Sequence, residues 1–156
     1  MKKYLFCLVL VFGVAAASYG QSLTQVLNTA SNARSVEKVK IGRFMMSAGK
    51  LFGGVSNMPV ARGVHSLEVY DLSDCDHNVK NKVTNLISQL KDGDGYETLI
   101  QVNGKDDNVR IMAKKNKDVF SDIVILCADK SDPAIIRLSG KIKEKDIEEL
   151  VNKYSK

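Results

Sequence analysis

The sequence predicts an α+β domain, with a largely antiparallel sheet of five to six strands and helices packed on one face. Two observations carry that prediction. Between residues 96 and 140, four short apolar runs follow one another with only turn-rich spacers between them, the pattern of an antiparallel meander. Residues 76–91 and 143–154 instead place their apolar side chains at helical spacing, so each presents one stripe that a sheet can cover. A third observation bounds the domain. Lys2 and Lys3 form a basic head, residues 4–17 are nearly all apolar, and Ala15, Ala16, Ala17 and Ser18 lead to a cleavage point after Gly20. Residues 1–20 therefore read as a signal peptide and 21–156 as one exported domain, periplasmic or extracellular after processing.

Taken in order, Ser22 caps a first helix running to about Ala30, with Leu23, Val26, Leu27 and Ala30 on one face. Val36, Val39 and Ile41 mark a short strand. Residues 42–52 return to helical spacing through Phe44, Met45, Ala48, Leu51 and Phe52, and Gly53 and Gly54 stop that helix. A loop containing Pro59 precedes a strand over 64–72. The strongest helix spans 76–91, where Val79, Val83, Leu86, Ile87 and Leu90 form the stripe and Gly93 follows.

The meander strands are 96–102, 108–114, 119–128 and 134–140. In the third, Ile123, Ile125 and Cys127 face one way and Val124, Leu126 and Ala128 the other, which predicts a central strand apolar on both faces. The second alternates Val109, Ile111 and Ala113 with Arg110, Met112 and Lys114. Ile147, Leu150, Val151 and Tyr154 give the last helix its stripe.

Composition narrows the partner classes. The formal charge of +5 falls to +3 once Lys2 and Lys3 are removed, and the remaining cations are interspersed with Asp and Glu. With aromatics at 6% and no Trp, stacking platforms are scarce, so nucleic acid is not an expected partner. No stretch after the leader approaches the roughly 20 apolar residues of a spanning helix, so the mature chain is expected to have no transmembrane segment. Cys7 precedes most of the apolar run and follows the bulky Phe6, which argues against lipidation there.

The densest set of candidate ligands is Asp71, Asp74, Cys75, Asp76 and His77. Asp74, Cys75 and His77 are the candidates for a metal, and the Asp71–Cys75–His77 region is the candidate for hydrolysis. Against both stands the helix start itself, where Asp74 or Asp76 serves as a cap and complements the dipole. Residues 75 and 77 do not face each other on a helix. Cys75 and Cys127 are a candidate disulfide, which would close a loop of about 52 residues with roughly 4 kcal/mol of stabilisation at most. The alternative is two free thiols, one at a helix start and one in a buried strand. Phe44, Met46 and Phe52 beside Arg43 and Lys50 are a candidate partner surface, with core packing as the alternative. No Gly-x-Ser-x-Gly or Gly-x-Gly-x-x-Gly pattern occurs, so no catalytic residue and no cofactor are expected.

Four stretches carry a family resemblance. Residues 39–46 read as a strand entering a Met-bearing helix, 96–100 read Tyr-Glu-x-Leu-Ile, 122–126 open an apolar strand, and 136–142 centre on Gly140 ahead of the last helix. In this order they resemble the exported proteins of Bacteroidota grouped as domain of unknown function family 4252, over most of the mature chain. Two features depart from that pattern: Asp122 stands where Glu is expected, and the lipobox of some similar proteins is missing. The resemblance implies an envelope or secreted α+β domain, with genes sometimes near extracytoplasmic sigma-factor systems, and it brings no catalytic residue.

The expectation that follows is a non-enzymatic exported module that binds an envelope protein or a second copy of itself, and the resemblance adds a link to envelope signalling. A metal or hydrolytic protein built on the Asp71–Cys75–His77 region, or a small-ligand carrier with a cavity between helices and sheet, are the alternatives.

Overall fold

The computed structural model describes residues 22–43, 62–105 and 108–154. The leader read over 1–20 and the candidate surface of Phe44, Met46 and Phe52 lie outside them.

Among the described residues three helices accompany six strands: α1 (Leu23–Ser31), β1 (Glu37–Ile41), β2 (Val64–Asp71), α2 (His77–Ser88), β3 (Tyr96–Asn103), β4 (Asn108–Asn116), β5 (Val119–Cys127), β6 (Ala134–Lys143) and α3 (Glu144–Tyr154). α1 begins where Ser22 turns extended and its hydroxyl accepts from the Gln25 amide at 3.3 Å, closing one otherwise unpaired donor of the first turn. α2 starts after Asp76, whose side chain makes no capping bond, although its carbonyl accepts from the Lys80 amide. The turn into β3 uses Asp94 and Gly95, both at positive φ (54° and 83°), which glycine adopts without strain.

All pairings are antiparallel, in the order β1-β2-β6-β5-β4-β3. The meander β3 to β6 forms as the alternation predicts, and β2 joins its far side. β5 sits inside the sheet with both faces apolar.

Two clusters fill the faces. Leu23, Val26 and Ala30 of α1 and Val83, Leu86 and Ile87 of α2 meet Tyr70, Met112, Val124, Leu126 and Ile135. Ile123 belongs to a second cluster with Val64, Ala113, Phe120 and Ile142, against which Ile147 of α3 packs. Neighbouring residues of a strand point to opposite faces, so Val124 and Ile123 place these clusters on opposite sides. The helices are therefore not gathered on one face as the sequence suggested: α1 and α2 share one, and α3 reaches the other. In β4 Met112, between Arg110 and Lys114, is fully buried under α1 and α2, and Ala113 is fully buried on the opposite face, in the cluster that α3 reaches. Burial follows the helix-covered side, which the alternation alone does not identify.

β2 and β6 cross closely at their ends. A Cβ on Gly140 would lie 2.1 Å from the Gly63 carbonyl oxygen, and one on Gly63 would lie 2.5 Å from the Lys141 carbonyl oxygen. No side chain fits at either position without moving backbone.

Candidate functional site

Register builds the polar centre of the molecule. Lys40 of β1 pairs with Glu68 of β2, Glu68 with Arg137 of β6, and Arg137 with Val124 of β5, so two cations flank one carboxylate in a row across the sheet. One step along, Ser139 pairs with Asp122, and Asp122 with Lys114, which is opposite Tyr96. All of these lie on the face that carries α1 and α2.

Asp122 is the hub. Only 6% of it is exposed, and it accepts from Arg137 Nε at 3.0 Å on both oxygens, Arg137 Nη2 at 2.5 Å, Ser139 Oγ at 2.8 Å and Tyr96 Oη at 2.5 Å. Burial pushes the Asp122 carboxyl up, but these donors outweigh it and hold the group below the usual carboxylate range. Burial and the bond to Asp122 push the Tyr96 phenol up to about 12. Arg137's own hydrogen bonds to Asp122 raise its guanidinium.

Glu68 repeats the arrangement nearer the surface. It accepts from Tyr70 Oη at 2.8 Å and pairs with Lys40 Nζ at 3.3 Å, while Arg137 Nη1 stands 3.9 Å away. Burial raises its carboxyl, and Tyr70, Lys40 and Arg137 together bring it below the ordinary value. Lys38 Nζ donates to the Ser31 carbonyl at 2.7 Å and lies 5.8 Å over the Tyr70 ring.

Above this floor stands α1. Leu23, Thr24, Leu27, Asn28 and Ser31 form one wall of a cleft of about 340 Å³ whose other lining is Lys38, Lys40, Glu68, Tyr70, Tyr96 and Arg137.

The opposite face and its edges are different in kind. Val39, Val69, Ile136, Ile125, Ile111 and Ile100 stand opposite one another in a single row across all six strands. The row ends on β3, where Ile100 and Val102 are 48% and 57% exposed and Leu99 is exposed beside them. β3 is an outer strand with one charged side chain, Glu97, in eight residues. The other outer strand, β1, reads Glu-Lys-Val-Lys-Ile. Charge, which commonly guards sheet edges, protects β1 and not β3.

The structure places the sequence candidates apart. Asp71 accepts from the Ser73 amide at 2.9 Å and hydroxyl at 2.6 Å, which lowers its carboxyl and holds the turn before α2. Cys75 turns into the α1–α2 core, whereas Asp74 and His77 are exposed. Among the described residues no three of His, Cys, Asp and Glu come together as a metal set, and Asp74, Cys75 and His77 do not. Cys75 and Cys127 are free thiols, each pushed up by burial. They lie on opposite sides of the sheet, because Cys127 shares its face with Ile123 and Ile125 while Cys75 belongs to the cluster of Val124 and Leu126. A bridge between them would need the backbone to move.

Sequence reading missed Glu68, Arg137, Tyr96 and Lys40 as a group. A signal was present: Glu68, Asp122 and Arg137 each interrupt an apolar strand. Only the register shows that the interruptions meet.

The model of a family described as Domain of unknown function (DUF4252) matches residues 30–150. No curated protein and no solved structure matches the chain.

Proposed function

This chain belongs to the DUF4252 family, and from that premise we propose that it is an exported, non-enzymatic binding domain whose contact with a partner protein is made by the β3 edge. The observation that carries the reading is the outer strand itself, with Leu99, Ile100 and Val102 in water and a single charge along its length. Such an edge offers backbone donors and acceptors to an added strand, and the apolar row ending at Ile100 extends the surface on which that strand's side chains rest. The fitting partner is an extended, uncharged segment with β-branched residues on one side. The titratable groups elsewhere support a binding role. Asp122, Glu68 and Asp71 are engaged by neighbouring donors, and the raised Cys75 thiol is a poor nucleophile.

The test is photo-crosslinking in the cell envelope with benzoylphenylalanine placed at Ile100, at Val102, or at the exposed control position Lys91. One discrete adduct from the β3 positions, lost when Leu99→Lys is added, is the expected result. Crosslinking no stronger than at Lys91, or an adduct indifferent to Leu99→Lys, would sink the edge-strand reading. A dimer-sized adduct identified as this chain would replace the partner with a second copy. Export is checked separately, by whether the mature chain from the envelope fraction begins at Gln21.

A further inference from the structure

The cleft under α1 has donor capacity that its own network leaves over. Arg137 directs Nε and Nη2 at Asp122, but Nη1 has Glu68 only at 3.9 Å, beyond hydrogen-bond range. Lys40 pairs with Glu68 and interacts with the Tyr70 hydroxyl, from a side chain that is 55% exposed. Lys38 donates once, to Ser31. Each ammonium carries three donors and the guanidinium five, so several N–H groups converge on the cleft without a close acceptor.

Charge points the same way. The lining holds three cations, Lys38, Lys40 and Arg137, against the single carboxylate of Glu68, and counting Asp122 beneath the floor still leaves a net charge of +1. Across from the cations, the half-buried Leu27 gives the α1 wall an apolar patch, with Leu23 buried behind it. At about 340 Å³ the space is at the small end of ligand sites.

We propose that this cleft binds a small amphiphilic anion, whose carboxylate or phosphate rests against Arg137 Nη1 and Lys40 and whose short hydrocarbon part lies along Leu27. The site is separate from the β3 edge and stands or falls independently of it. Glu68 sets the specificity: lying between two cations, it orients Lys40 and Arg137 and disfavours an anion that approaches anywhere but their outer sides. Ligands with a neutral head have nothing to offer the open donors and are excluded by the desolvation of those cations.

The test uses octanoate, octyl phosphate and 1-octanol as probes, followed by amide chemical-shift mapping of the full mature chain. Saturable shifts at Thr24, Asn28 and Lys40 with octanoate or octyl phosphate, and none with 1-octanol, are expected. Comparing the two anions separates a carboxylate source from a phosphate source. Lys40→Gln, at an exposed position that leaves the Asp122 hub intact, is expected to weaken the bound anion about tenfold, the loss of one charge-assisted contact. No saturable shift with either anion, equal shifts with 1-octanol, or unchanged affinity in Lys40→Gln overturns the proposal.

Discussion

Replacing Arg137 by Met removes the main partner of a carboxylate that is almost wholly withdrawn from water. The substitution keeps an unbranched stem of similar reach, so the effect isolates the guanidinium. Asp122 retains Ser139 and Tyr96 as donors and loses the three contacts from Arg137. Breaking a buried pair by removing one member costs about 3–5 kcal/mol. Here the Arg137 side chain is itself 33% exposed and two donors remain, which brings the expectation to about 2–3 kcal/mol. Asp122→Asn is milder, about 1 kcal/mol, because water reaches the guanidinium it leaves behind. The double variant should lose about 2 kcal/mol instead of the sum, a coupling of about 1–2 kcal/mol between neighbours in one network. Urea unfolding followed by far-ultraviolet circular dichroism measures all four members of the cycle, and a loss of about 2–3 kcal/mol corresponds to a midpoint shift of about 1–2 M. Strict additivity, or a loss below about 0.5 kcal/mol in Arg137→Met, would refute the placement of Asp122 as the hub.

Two further outcomes follow from the same geometry. Asp122 and Glu68 have folded values below their unfolded ones, so their contribution is fully present above the unfolded pKa near 4 and is lost as pH falls through the folded values. Urea midpoints should be level from about pH 7 to 5 and fall below about 4, less steeply in Asp122→Asn. Tyr96 has the opposite sign: its contribution is present below about 10 and disappears as pH rises through about 12, which an ultraviolet titration of tyrosinate reads as a late-ionising phenol. Gly140→Ala places a methyl group 2.1 Å from the Gly63 carbonyl oxygen and 2.9 Å from the His65 amide nitrogen, both backbone atoms. It should destabilise by about 1–3 kcal/mol, and a variant as stable as the parent would show that β2 and β6 do not approach as described.

The meander was legible because its cues are local. Period-two alternation over β4 and β5, with turn residues between them, depends on nothing outside the segment. The apolar stripes of α1 and α2 were legible for the same reason. The side of the sheet each helix covers was not, since Ile147 in the second cluster and Val83 in the first come from stripes that look alike in sequence. The cluster of Asp71, Cys75 and His77 drew attention because its members are adjacent along the chain, yet the helix start turns Cys75 inward and His77 outward. Lys40, Glu68, Arg137 and Asp122 were invisible for the converse reason: up to 97 residues separate them, from 40 to 137, and only strand order brings them together.

That long-range assembly has a consequence for how the chain selects its own pairing. Sliding β6 by one residue against β2 and β5 would carry Arg137 to the face of Ile123 and Ile125 and leave Asp122 buried opposite an aliphatic neighbour. An unpaired buried carboxylate costs several kcal/mol, a large part of the total stability of a domain this size. Apolar rows alone discriminate such a slip weakly in this sheet, because β5 is aliphatic on both faces and Ile135 and Ile136 of β6 exchange places against it at little loss. The ionic row supplies the discrimination that hydrophobicity lacks. Exchanging both Asp122 and Arg137 for aliphatic residues should therefore keep or raise stability while losing uniqueness of register, which would appear as extra or broadened amide resonances confined to β2, β5 and β6.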